Sequence, residues 1–168
     1  MRDDTTTDRP SYLLASLDEL EDFKIADGCP DPRGWDVLAA DGRTVGKVDS
    51  LIADPGAMKV RYLDVDLDEK ALGLEKPRHV LIPIGGAVLH EKDDAVYVGA
   101  IPSTLKMLPP YEHTTLTRHD EQFYLQHFDA AYAPSEGETD FYALPHFDDS
   151  RFFGRRRRDD KARYLTRC

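Results

Sequence analysis

The chain has 168 residues, of which 40% are hydrophobic and 32% charged, with a formal net charge of −10. That length holds one compact core with polar segments attached to it. No stretch approaches the ~20 apolar residues of a membrane-spanning helix. The polar opening "MRDDTTTDRPSYLL" lacks the apolar core of a signal peptide, so a cytoplasmic protein is expected. Charge is unevenly placed. Residues 151–168 carry eight Lys/Arg against two Asp, a tail of +6; the other 14 basic and 30 acidic residues leave residues 1–150 at −16. A body of that sign repels phosphate backbones, so no nucleic-acid partner is expected for it. The two cysteines, Cys29 and Cys168, form neither a disulfide framework nor a Cys-x-x-Cys motif, and no structural bridge is expected.

In chain order, 1–22 reads as an N-terminal extension. Within it, "SYLLASLDELEDF" spaces Leu13, Leu17 and Leu20 for a short helix or turn that Ser16 is able to cap. Short strands divided by turns begin after the loop "ADGCPDPRG". Trp35–Ala39 and Val45–Ala53 flank "ADGRT", whose Asp-Gly pair marks a tight hairpin, with Val45, Val48 and Leu51 facing inward. In "VRYLDVDL" the apolar Leu63, Val65 and Leu67 alternate with Asp64 and Asp66, the period-2 pattern of a half-buried strand with its acids on the outer face. A charged loop, "DEKALGLEKPR", leads to strands at His79–Pro83, Ala87–Leu89 and Ala95–Val98.

Six short strands with frequent turns predict a mainly β fold. The expected form is a small closed β-barrel over 23–101, closure removing exposed edges. Residues 102–133 read as an extended, proline-punctuated linker and then a helix packed on the barrel. Thr117 is its candidate N-cap, Asp120 its third residue, and Phe123, Tyr124, His127 and Phe128 its apolar stripe. Residues 134–168 read as an acidic, aromatic segment followed by an arginine-rich C-terminal extension.

Catalytic signals are sparse. No two of the six histidines stand at i, i+4 around a glutamate, there is no nucleophile elbow, and neither "DGRTVG" nor Gly85-Gly86 has phosphate-loop context. The residues therefore point to no enzyme and no bound metal. Two readings stay open for Asp64 and Asp66. One is a solvated face; the other is proton handling, because neighbouring carboxylates push their pKa values apart. In the tail, Phe152, Phe153 and Arg155, Arg156, Arg157 and Arg158 combine the residue types that dominate interface hot spots. They are candidate partner contacts, with an anionic membrane surface as one target.

The ordered stretches "DPRGWDVLAADGRTVGKVDSLIAD", "VRYLDVDL" and "HVLIPIGGAVL" resemble the PRC-barrel family. The nearest likeness is the cytoplasmic domain of the H subunit of purple-type photosynthetic reaction centres. It runs from about Phe23 to Ala133 and includes "LPPYEHTTLTRHDEQFYLQHFDAAYA". The resemblance implies a non-catalytic subunit on the cytoplasmic face of the membrane. Such a subunit caps the L and M core, stabilises it and assists proton delivery towards the secondary quinone. It binds no cofactor itself, the partners carrying bacteriochlorophyll, bacteriopheophytin and quinone.

Asp54 matches a family aspartate in the proton-uptake region, Arg61 a family arginine near the core contact, and Asp120 a retained acid of the post-barrel helix. Departures are equally plain. Ala57 replaces a glutamate, Arg118-His119 replaces an acidic pair, the family's surface histidine pair upstream of the barrel has no counterpart, and a chain without the family's leading membrane helix is expected. A separate chain bearing that helix is then an expected further partner. The alternative implied by the family is a free-standing PRC-barrel adaptor of the stress-associated or RNA-processing type.

Overall fold

A computed structural model describes residues 14–20, 24, 25, 29–134, 141–150 and 152. Seven strands form one sheet: β1 (Ala15–Ser16), β2 (Asp36–Leu38), β3 (Thr44–Asp54), β4 (Lys59–Leu67), β5 (Arg78–Pro83), β6 (Ala87–His90) and β7 (Ala95–Val98). The main path is β5-β4-β3-β2-β7-β6, with β1 pairing β3 off it. All pairings are antiparallel except β2 with β7. The mainly β, barrel-type fold expected from the strand pattern is what forms, with the two-residue β1 added to the six expected strands. Its sheet curls, and its two end strands, β5 and β6, are consecutive in the chain and joined by a 3-10 turn at Ile84–Gly86.

Local chemistry accounts for most boundaries. Gly42 takes φ +87° in the β2–β3 turn, a conformation that a Cβ would oppose. Gly46 lies so close to the backbone of Asp66 and Leu67 that β3 and β4 touch there without room for a side chain. The long β3–β4 ribbon contains two bulges. Val48 pairs with Val65 and Ser50 with Asp64, which leaves Asp49 unpaired on β3. Ile52 pairs with Tyr62 and Ala53 with Val60, which leaves Arg61 unpaired on β4. One extra residue on each strand restores the register, and each bulge re-aims one side chain.

Several expectations are corrected. Near Leu17, where a short helix or turn was expected, a 3-10 turn (Leu17–Glu19) forms with Ser16 as its cap; the unexpected element is β1 before it, where Ala15 and Ser16 pair with Ala53 and Ile52. The "charged loop" contains α1 (Glu69–Leu72), started by the Asp68 side chain and ended by Gly73 in the left-handed region. The "extended linker" contains α2 (Pro102–Met107), with proline in its first turn, where no hydrogen bond is lost. The predicted post-barrel helix forms as α3 (Arg118–Phe128), with the Thr117–Asp120 capping box. Its buried face is Glu121 and Leu125, however, and Phe123 is 48% exposed. The expectation of no Cys29–Cys168 bridge involves Cys168, which lies outside the described residues.

Over β3–β5 the sheet carries apolar clusters on both faces. The barrel interior holds Val37, Val45, Val48, Leu51, Leu63, Val65, Val80, Ile82, Val96 and Phe152. On the outer face of β3, β4 and β5 a second cluster gathers Ile52, Tyr62, Leu81, Tyr111, Leu116, Leu125, Phe141 and Phe147. The post-barrel segment has thus folded back over the barrel wall. It fits closely: a Cβ on Gly85 would collide with the Pro145 carbonyl and stand 2.7 Å from the His146 oxygen. Gly85→Ala is therefore expected to cost about 1–3 kcal/mol, read by urea unfolding; an unchanged midpoint would refute this close approach.

Candidate functional site

The fold places two polar clusters between the barrel wall and the segment that covers it. In the first, Asp64 on β4 is fully buried although its strand alternation suggested an outer, solvated position. The outer face is itself covered here, which corrects the solvated-face reading for this residue. His79 Nδ1 lies 2.8 Å from one Asp64 oxygen and His113 Nε2 lies 3.0 Å from the other. Burial raises the Asp64 pKa from its ordinary range, and the two histidines oppose the rise.

Cross-strand register produces the His79 contact. His79 sits directly opposite Asp66, so its ring shares the face of Asp64 and Asp66, with Nε2 3.9 Å from Asp66. His113 comes from the covering segment. That segment is pinned to the β5 edge by the Tyr111 N–H, which donates to the His79 carbonyl at 2.8 Å. His113 adopts φ +61°, uncommon for a residue with a Cβ, and its ring meets those of His79 and Tyr111 at centroid separations of 4.7 and 4.8 Å. Burial, reinforced by the Asp64 charge, pushes Tyr111 up to about 12.

The second cluster centres on Glu121 of α3, 1% exposed. The Tyr62 hydroxyl donates to it at 2.8 Å and the Tyr142 hydroxyl at 2.8 and 3.0 Å, and Arg118 Nε approaches at 3.4 Å. Burial raises the Glu121 pKa, and the tyrosine and arginine donors pull it back. The same burial holds Tyr62 and Tyr142 protonated, both shifted upward. Arg118 lies over the Phe141 and Tyr142 rings at 4.3 and 5.0 Å from their centroids.

The bulge residue Arg61 covers Tyr142 from the barrel side at 4.1 Å from the centroid and donates to Asp54 at 3.3 Å. Asp54, 8% exposed, also accepts the Ala57 N–H at 3.1 Å and so closes the β3–β4 turn. Arg61 Nε is buried without a hydrogen-bond partner among the described residues.

The sequence-derived candidates fall in different places. Asp54 and Arg61 are brought together as a partly buried pair. Asp64 joins the histidine cluster, with Asp66 exposed beside it. The Asp120 carboxylate accepts the Thr117 N–H at 2.8 Å, a capping role. Phe152 is 1% exposed within the barrel core, which corrects its assignment as a partner contact: an aromatic committed to the core offers no surface. Phe153 and Arg155, Arg156, Arg157 and Arg158 lie outside the described residues.

Sequence reading missed Glu121, Tyr62, Tyr142 and the His79–His113 pair. The histidines are 34 positions apart and the glutamate is 59 positions from Tyr62, so no local spacing signals either cluster. Among the described residues, no helix is long and apolar enough to cross a membrane.

The family comparison agrees with the architecture. Residues 25–105 match the PRC-barrel domain, a region that begins in the segment between the Leu17–Glu19 turn and β2 and ends within α2. The β3–β4 ribbon with Asp54 and Arg61 lies inside the match, whereas His113, Glu121 and Tyr142 lie beyond it. The chain therefore carries a PRC-barrel domain over residues 25–105.

Proposed function

We propose that this chain is a non-catalytic, H-type subunit that sits on the cytoplasmic face of a photosynthetic membrane. There it caps a reaction-centre L and M core and assists proton delivery towards the secondary quinone. The observation that carries the reading is the Asp54–Arg61 pair. These are the two positions the family resemblance assigns to proton uptake and core contact, and they meet at 3.3 Å at one end of the ribbon. Through the Tyr142 ring the pair adjoins Glu121, a buried carboxyl with its pKa raised. A body of −16 supplies a carboxylate-rich surface on which protons collect. Bacteriochlorophyll, bacteriopheophytin and quinone belong to the partner subunits in this scheme, and this chain carries no redox group of its own.

The positive tail provides a second attachment, to anionic lipid or to the complex. The tagged chain is expected to co-purify with L and M subunits from solubilised photosynthetic membranes. Replacing Arg155, Arg156, Arg157 and Arg158 with alanine should weaken that association, most clearly at low salt. Asp54→Asn should slow the second electron transfer to the quinone while leaving assembly intact. Failure to recover L and M from membranes that contain them would overturn the assignment, and an unaltered electron-transfer rate would remove Asp54 from the proton route.

The extent of the family match favours a second reading. Since it covers the barrel and not the covering segment, a free-standing PRC-barrel adaptor is consistent with it. Recovery of the chain in the soluble fraction, free of L and M, would select that reading.

A further inference from the structure

We infer that Asp49, Asp64, His79 and His113 form a binding site for a divalent transition-metal cation of the zinc type. One donor atom from each of the four residues can be chosen so that all lie within 4.8 Å of one another. Two imidazole nitrogens and two carboxylate oxygens make a donor set suited to four-coordinate zinc. Four donors around one ion at ~2.0–2.1 Å stand a little over 3 Å apart. One Asp64 oxygen stands 2.8 Å from His79 and the other 3.0 Å from His113, so these close contacts open by a few tenths of an ångström around an ion while the wider pairs, up to 4.8 Å, draw in.

Each donor is delivered by a separate device. Asp49 is the unpaired residue of the β3 bulge, directly before the residue that pairs with Asp64. Asp64 is held in the sheet, His79 stands opposite Asp66 on the neighbouring strand, and His113 comes from the covering segment in a left-handed backbone conformation. The bulge and the positive φ break local regularity at two of the four donors.

Surroundings also fit a cation. His79 presents Nδ1 to the cluster and Nε2 towards Asp66, 3.9 Å away. A metal-bound histidine commonly has a carboxylate on its far nitrogen, fixing the tautomer. The two site carboxylates offset the charge of a dication, and both histidines bind it in their neutral form. Asp49 and the His113 ring, 51% exposed, leave the cluster open to solvent on one side, which gives an ion a way in. Binding would tie the covering segment to β3, β4 and β5 at a point separate from the Glu121 network. The inference is independent of the reaction-centre assignment.

The test uses tag-free, full-length protein stripped with chelator and titrated with Zn²⁺ against a chromophoric competitor, with Co²⁺ as the spectroscopic probe. One equivalent is expected to bind, and Co²⁺ should show the intense visible absorption of a tetrahedral site. His113→Ala and Asp49→Ala alter exposed side chains and should leave the fold intact while each weakens Zn²⁺ binding at least about tenfold. His119→Ala, a histidine outside the cluster, should bind as the parent does. Absence of stoichiometric binding, or equal affinity in the parent and both cluster variants, would overturn the site. Asp64→Asn serves as a further variant only if circular dichroism shows that it folds.

Discussion

Glu121→Ala is expected to destabilise the protein by about 3 kcal/mol, measured by urea or thermal unfolding. Truncation leaves the buried hydroxyls of Tyr62 and Tyr142 without their acceptor and deprives Arg118 of its carboxylate. These groups join α3, the barrel wall and the segment around Phe141, so the loss falls on the seam that holds the second core together. Glu121→Gln keeps an acceptor for the tyrosines and is expected to cost less than about 1 kcal/mol.

The two variants also separate hydrogen bonding from ionisation. Burial places the folded-state pKa of Glu121 above its ordinary value of 4.5. The folded protein therefore keeps this proton in a pH range where the unfolded chain has released it, and stability falls as pH rises through that range. Below the ordinary value both states are protonated and this group's contribution is complete. It is lost as pH passes the raised folded pKa. Arg118 and the hydroxyls of Tyr62 and Tyr142 face the carboxyl and limit the shift. In Glu121→Gln that decline should vanish from the stability–pH profile; a profile parallel to the parent's would show that Glu121 titrates normally.

Phe152→Ala is expected to cost about 3–5 kcal/mol, the usual penalty for removing a buried aromatic ring. The ring is 1% exposed among barrel-core residues although it lies 54 positions beyond the end of β7. For a chain of this size the loss should lower Tm by roughly 10 °C. A residue acting only as a docking contact would behave oppositely: its alanine variant would melt with the parent and lose only partner association. Calorimetry of the isolated protein therefore decides between a core role and a contact role for Phe152.

Strand periodicity and turn chemistry were legible in the sequence because both are local. Alternation of Leu63, Val65 and Leu67 with Asp64 and Asp66 located β4, the Asp-Gly pair located the β2–β3 turn, and Thr117 with Asp120 located the start of α3. The short helices at Glu69–Leu72 and Pro102–Met107 were obscured by charge and proline, although Asp68, Gly73 and the first-turn proline are the caps that make them. The candidate site was only partly legible. Asp54 and Arg61 were identified, but their pairing depends on a bulge, which changes the direction of a side chain without leaving a periodic trace.

By itself, the sequence determined the barrel strands, their turns, the capped helix and the separation of an acidic body from a basic tail. These follow from periodicity, backbone preference and composition. Only the tertiary structure decided that the outer wall of β3–β5 is a second core. A strand with acids on one face is compatible with solvent or with a covering layer, and the choice rests on residues dozens of positions away. That layer is what buries Asp64 between two histidines and Glu121 between two tyrosines, turning acids of ordinary appearance into buried polar centres.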